Sequence, residues 1–105
     1  MSTMIESMAL KPLHRVLSQL TGEDRFDLAL HLATKELAQF RLQESRRQIK
    51  SFEDRYGMNF DQFQRAWESG AIPAPRSYEV EKDYWEWEAA LTDRERLNEI
   101  LANLP

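Results

Sequence analysis

The sequence predicts an all-α protein, and three features carry that prediction. The chain of 105 residues is rich in Leu, Ala, Glu, Gln and Arg and has no run of alternating β-branched residues. Its three glycines, Gly22, Gly57 and Gly70, fall where helices would start or stop rather than in a loop that cradles phosphate. Between them, apolar residues recur at steps of three and four, the spacing that lines one face of a helix. The expected architecture is a single helical domain over residues 1–105 around one long central helix, with helices near 11–20, 22–56, 60–69, 78–91 and 93–103.

Leu10, Leu13, Leu17 and Leu20 give the first helix its stripe, and Pro12 suits a first turn, where a missing N–H costs nothing. Thr21 offers an N-cap with Asp24 three positions on, a weaker relative of the capping box. No proline or glycine then follows until Gly57, so a helix of about 35 residues, some 50 Å long at 1.5 Å per residue, is allowed. Along it, Phe26, Leu30, Ala33, Leu37 and Phe40 form a seam of two heptads that Glu44 interrupts. Leu42, Ile49, Phe52 and Tyr56 continue on a stripe turned by about a third of a revolution. One helix thus serves two packing sites. Leu28 and Leu32 add apolar surface off the seam, and a chain of this size buries only part of its apolar area by itself. A homodimer is expected, intertwined or side by side, with Phe26, Leu30, Leu37 and Phe40 as its dimerisation residues.

After "DRYG", Asn59 is placed to cap a third helix with Gln62, while Met58 and Phe63 form a hydrophobic staple. That helix, "FDQFQRAWESG", would bury Phe60, Phe63 and Trp67 and end before Gly70. "AIPAPRS" reads as a stiff connector, because each proline forces its predecessor out of helical geometry. A last helical region runs from about Tyr78 to Leu104, with Thr92 and Glu95 as a second capping box that predicts a break.

Zero cysteines exclude disulfides, thiolate metal sites and cysteine nucleophiles and fit a reducing compartment. No apolar run approaches the roughly 20 residues of a membrane span, and "MSTMIESMALKPLHR" has no export signal, so a cytoplasmic protein is expected. His14 and His31 lie on different helices without a ligand set. Glu79, Asp83 and Glu86 share a helix face, but exposed carboxylates mostly serve solvation, and acid–base or cation chemistry needs burial or more oxygens. No catalytic residue, cofactor or metal is expected. Arg41, Arg46, Arg47 and Lys50 are spread around their helix, and the net charge of −4 disfavours direct nucleic-acid binding.

All of that net charge sits at one end. Residues 1–75 hold ten basic and ten acidic side chains, and residues 76–105 hold four and eight. In "VEKDYWEWEAAL", Val80, Tyr84, Trp87 and Leu91 share a core-type face, while Tyr78, Trp85 and Ala89 lie on another. An acidic helix with spare aromatic rings is complementary to a basic protein, and Tyr78, Glu81, Tyr84, Trp85, Glu86 and Glu88 are the candidate contact residues.

The stretches "FEDRYGMNFDQFQRAWESG" and "YEVEKDYWEWEAAL" resemble a group of small prokaryotic proteins, some of them regarded as antitoxins of toxin–antitoxin modules. Tyr56, Gly57, Met58, Phe63, Asp83, Tyr84, Glu86, Trp87 and Glu88 match that group's "YGM" turn and acidic aromatic helix. The resemblance covers the second half of the chain and implies a non-enzymatic protein that binds and neutralises a basic, toxin-like partner. Two alternatives remain open at the level of sequence: a structural homodimer that uses up its own aromatic helix, and a DNA-binding regulator working through the Arg46 region.

Overall fold

The computed structural model describes the backbone of residues 3–73 and 77–105 and, within those ranges, the side chains from Lys11 onward. Part of the expected connector, residues 74–76, lies outside the described residues, as does the side chain of Leu10. Four helices make up the chain: α1 (Thr3–Thr21), α2 (Phe26–Tyr56), α3 (Phe60–Glu68) and α4 (Tyr78–Asn103). No strand occurs among the described residues, so the protein is all-α. The helices pack as two compact units, one over residues 1–38 and one over residues 39–105, and α2 contributes to both.

The first unit is a helical hairpin. Gly22 takes a φ of +72°, a left-handed conformation open to glycine at no steric cost, and its N–H closes α1 on the Ser18 carbonyl at 2.9 Å. Thr21 is used up in that ending: its hydroxyl donates to the Leu17 carbonyl at 2.7 Å and accepts from the Glu23 N–H at 3.2 Å. It therefore does not cap α2. The second helix starts at Phe26 rather than near residue 22, its first turn closed by the Ala29 N–H on the Arg25 carbonyl at 2.8 Å. The start of α1 is a second correction. The helix begins at Thr3 and carries Pro12 in its interior, where the ring removes the bond to the Met8 carbonyl that a first-turn proline would not have needed. His14 ties the hairpin together, with Nε2 2.7 Å from the Asp24 carbonyl and its ring edge-on to Phe26 at 5.3 Å.

The second unit holds an aromatic core. Ile49, Phe52, Phe63, Ile72, Trp87 and Ala90 are buried together, with Tyr56, Met58, Phe60, Trp67, Val80 and Tyr84 packed around them. Trp87 has no exposed surface and meets the rings of Phe52, Tyr56, Phe60 and Phe63 at centroid distances of 5.6, 6.0, 5.4 and 5.1 Å. Such offset and edge-on pairs add to the transfer free energy of the rings themselves. The expected capping box at Asn59 and Gln62 forms in both directions at 2.9 Å, and both staple residues, Met58 and Phe63, join the core. At the other end of α3, the Ala71 N–H bonds the Ala66 carbonyl and the Gly70 N–H bonds that of Trp67, a Schellman ending that turns Ile72 into the core.

The expected break at Thr92 does not occur, and α4 is one helix from Tyr78 to Asn103. The Thr92 hydroxyl donates back to the Glu88 carbonyl at 3.1 Å, a bond that a threonine makes inside a helix. No glycine or proline lies nearby to stop the incoming turns, so continuing the helix costs less than ending it and nucleating another.

Candidate functional site

Ser77 sets the position of the acidic helix: its hydroxyl caps α4 by accepting the Val80 N–H at 3.3 Å. From that start, each residue advances about 100° around the axis, so neighbours two apart face nearly opposite ways. Trp87 is fully buried, while Trp85 is 64 % exposed and Tyr78, one heptad earlier, is 78 % exposed. Trp85 makes its ring contact with the edge of Tyr84 at 5.5 Å. Ala89 is also exposed, so Tyr78, Trp85 and Ala89 line the side of α4 that faces away from its core.

The remaining candidate residues separate. Glu81 is half-buried, and Glu88 is exposed; both flank the Tyr78–Trp85 stripe. Glu86 lies on the opposite flank, paired with Lys82 at 3.5 Å. Tyr84 is turned towards the core, its ring against Phe60, Phe63 and Trp67 and its hydroxyl accepting from Gln64 Nε2 at 3.0 Å. Of the seam residues on α2, Phe26 is half-buried beneath His14, and Leu30, Leu37 and Phe40 are each about half exposed.

Asp83 has a structural role that the spacing of carboxylates does not reveal. Its Oδ2 accepts the Tyr56 hydroxyl at 2.6 Å and the Arg55 guanidinium at 2.7 Å, joining the end of α2 to α4. Burial pushes the Asp83 carboxyl up, but the Tyr56 and Arg55 hydrogen bonds and the Arg55 charge outweigh it and hold the group below the ordinary carboxylate value. Burial first, and then the bond to Asp83, push the Tyr56 hydroxyl up to about 12. Arg55 also lies 5.3 Å from the centroid of Phe52, a cation–π contact. The one visible sequence signal is positional: Asp83 sits one turn before Trp87, on the flank of the core face, where a free carboxylate would be costly.

Residues that carry the resemblance therefore divide by role. Tyr56, Met58, Phe63, Asp83, Tyr84 and Trp87 hold the second unit together, and Gly57 ends α2 at a φ of +67°. Glu86 and Glu88 stay on the surface. A cleft of about 400 Å³ opens in the same unit, lined among others by Phe60, Leu91, Glu53, Glu88 and Glu95. Neither Glu88 nor Glu95 forms a salt bridge with a described residue. Among the described residues, no group of three or more His, Cys, Asp or Glu gathers as metal ligands, and no helix is long and apolar enough to cross a membrane. Comparisons with protein-family models, with curated proteins and with solved structures returned no match.

Proposed function

We propose that the protein is a non-enzymatic binding module of antitoxin type, which docks the outer face of α4 on a basic protein. The observation that carries this reading is the exposure of Trp85 and Tyr78 on the side of α4 opposite a saturated aromatic core. An exposed tryptophan one heptad from an exposed tyrosine has the size and amphipathic character of an interface anchor. Glu81 and Glu88 flank the pair, and Glu88 also lines the acidic cleft, so a basic side chain meets carboxylates on either approach. The resemblance of the second half to antitoxin-like proteins supplies the class of partner: a basic protein encoded beside this one.

The test is co-expression of the intact chain with the product of the adjacent reading frame. Trp85→Ala with Tyr78→Ala is expected to weaken the complex by at least about tenfold, because anchors of this kind dominate interface energy. Glu81→Lys with Glu88→Lys is expected to slow association and to reverse its decline with salt. Copurification unaffected by both pairs of substitutions would remove α4 as the docking face.

A further inference from the structure

The first unit leaves half of its described hydrophobic side chains exposed. Among the described residues, six of the ten large hydrophobic side chains that stand exposed belong to it: Leu13, Val16, Leu20, Leu30, Leu32 and Leu37. Its buried hydrophobic side chains, among the described residues, are those of Ala29 and Ala38, one methyl each. Leu13, Val16 and Leu20 follow at steps of three and four and so form one stripe on α1. Leu30 and Leu37 are one heptad apart on α2, on the seam that also holds Phe26 and Ala33.

We infer that the α1–α2 hairpin is a homodimerisation surface, on which the hairpin of a second copy docks to close a four-helix bundle. Three observations select a second copy over another partner. Seam residues at heptad spacing favour a helix carrying the same repeat, which an identical hairpin supplies. Residues 1–38 carry four basic and five acidic side chains, so two such surfaces meet without a like-charge penalty, whereas the acidic α4 face would repel its own copy. The area also suffices. Leu32 faces away from Leu30 and Leu37; with exposures from 47 % to 76 %, the other four leucines and the valine present about 330 Å² of apolar surface per copy, taking about 120 Å² for a whole leucine. Two copies bring about 650 Å², which with a polar rim amounts to about 1,100 Å², just above the roughly 1,000 Å² that a specific interface should clear. A two-fold arrangement, the commonest for identical chains, places α1 and α2 of each copy against those of the other. This surface is separate from the docking face on α4, and either can fail without the other.

Sedimentation and light scattering of the intact chain over a range of concentrations give the first readout. The expected mass is twice 12.4 kDa. Leu30→Glu with Leu37→Glu is expected to leave a single chain, with the near-ultraviolet circular dichroism of the second unit's aromatic core unchanged as the check on folding. The absence of cysteine supplies a milder second variant. Leu37→Cys is expected to oxidise readily to a covalent dimer, and Lys82→Cys, on α4, is not. A wild-type chain of single mass at every concentration would overturn the inference. So would a dimer that survives both glutamates, or equal cross-linking at the two cysteine positions.

Discussion

Asp83 and Tyr56 make the second unit sensitive to pH at both ends of the scale. The folded carboxyl is held below its ordinary value, so it stays ionised where the unfolded chain has already taken up a proton. Its contribution to stability is complete above about pH 4 and is lost as the pH falls through the folded value. Tyr56 acts in the opposite sense. Its hydroxyl, pushed up to about 12, keeps a proton that the unfolded chain gives up near pH 10. Stability is therefore complete below about pH 10 and declines between there and about pH 12. Tyr56→Phe removes one charge-assisted hydrogen bond and is expected to cost about 1–2 kcal/mol at neutral pH. It is also expected to flatten the alkaline decline, which urea midpoints measured at neutral and alkaline pH would show. An unchanged alkaline slope would remove Tyr56 as the source of that decline. This contact was hidden in the sequence because hydrogen-bond partners 27 residues apart leave no periodic signal. By contrast, the opposite fates of Trp85 and Trp87 were legible, because two positions on a helix are enough to separate faces.

At the scale of elements, endings were harder to read than faces. The stripes of α2 and α4 and the capping box of α3 were visible because each rests on residue types at fixed spacing. Thr21 and Thr92 carried equally plausible capping patterns, yet one closes the helix before it and the other sits inside a continuous helix. What decides such cases is whether the preceding helix has been stopped. Gly22 stops α1 ahead of its expected successor, and nothing stops α4 near Thr92. Small and polar core positions were also missed. Ala38 and Ser45 are buried on the stripe that continues through Leu42, Ile49 and Phe52, but neither registers as a hydrophobic signal. Ile72 is buried because the Schellman ending bends the chain inward, although the prolines around it suggest only a connector. Gly57 isolates the backbone part of such endings. A methyl group there would meet nothing within 4 Å, but the φ of +67° is unfavourable for any other residue. Gly57→Ala is expected to lower stability by about 1–2 kcal/mol through conformation alone, and Gly57→Asn by less, as chemical denaturation of the two variants would show.

For the whole molecule, the two units differ in how much they bury. Phe52, Phe63, Trp87 and their neighbours give residues 39–105 a core, whereas the described side chains of residues 11–38 bury two alanines among their hydrophobic members. Amide exchange should follow that difference, because local opening is easiest where few apolar contacts must be broken. The amides of α1 are expected to exchange well before those of Phe63 and Trp87, and raising the protein concentration is expected to slow α1 selectively. Uniform protection along the chain would contradict that ranking. The two-unit arrangement also explains why α2 carries two stripes: one helix is shared, but each half answers to a different set of neighbours.

The placement of Trp85 and Trp87 on one helix equips the protein with a built-in optical probe of its own electric field. Collisional quenchers reach a ring that is 64 % exposed and not one with no exposed surface, so with the half-buried Trp67 replaced by phenylalanine the emission separates into an accessible and an inaccessible part. Around the accessible ring, Glu81 and Glu88 attract cations and repel anions. Caesium is therefore expected to quench Trp85 more strongly than iodide at low ionic strength, with the gap closing as salt screens the carboxylates. Equal quenching by the two ions would mean that the outer face of α4 exerts no net negative field on what approaches it.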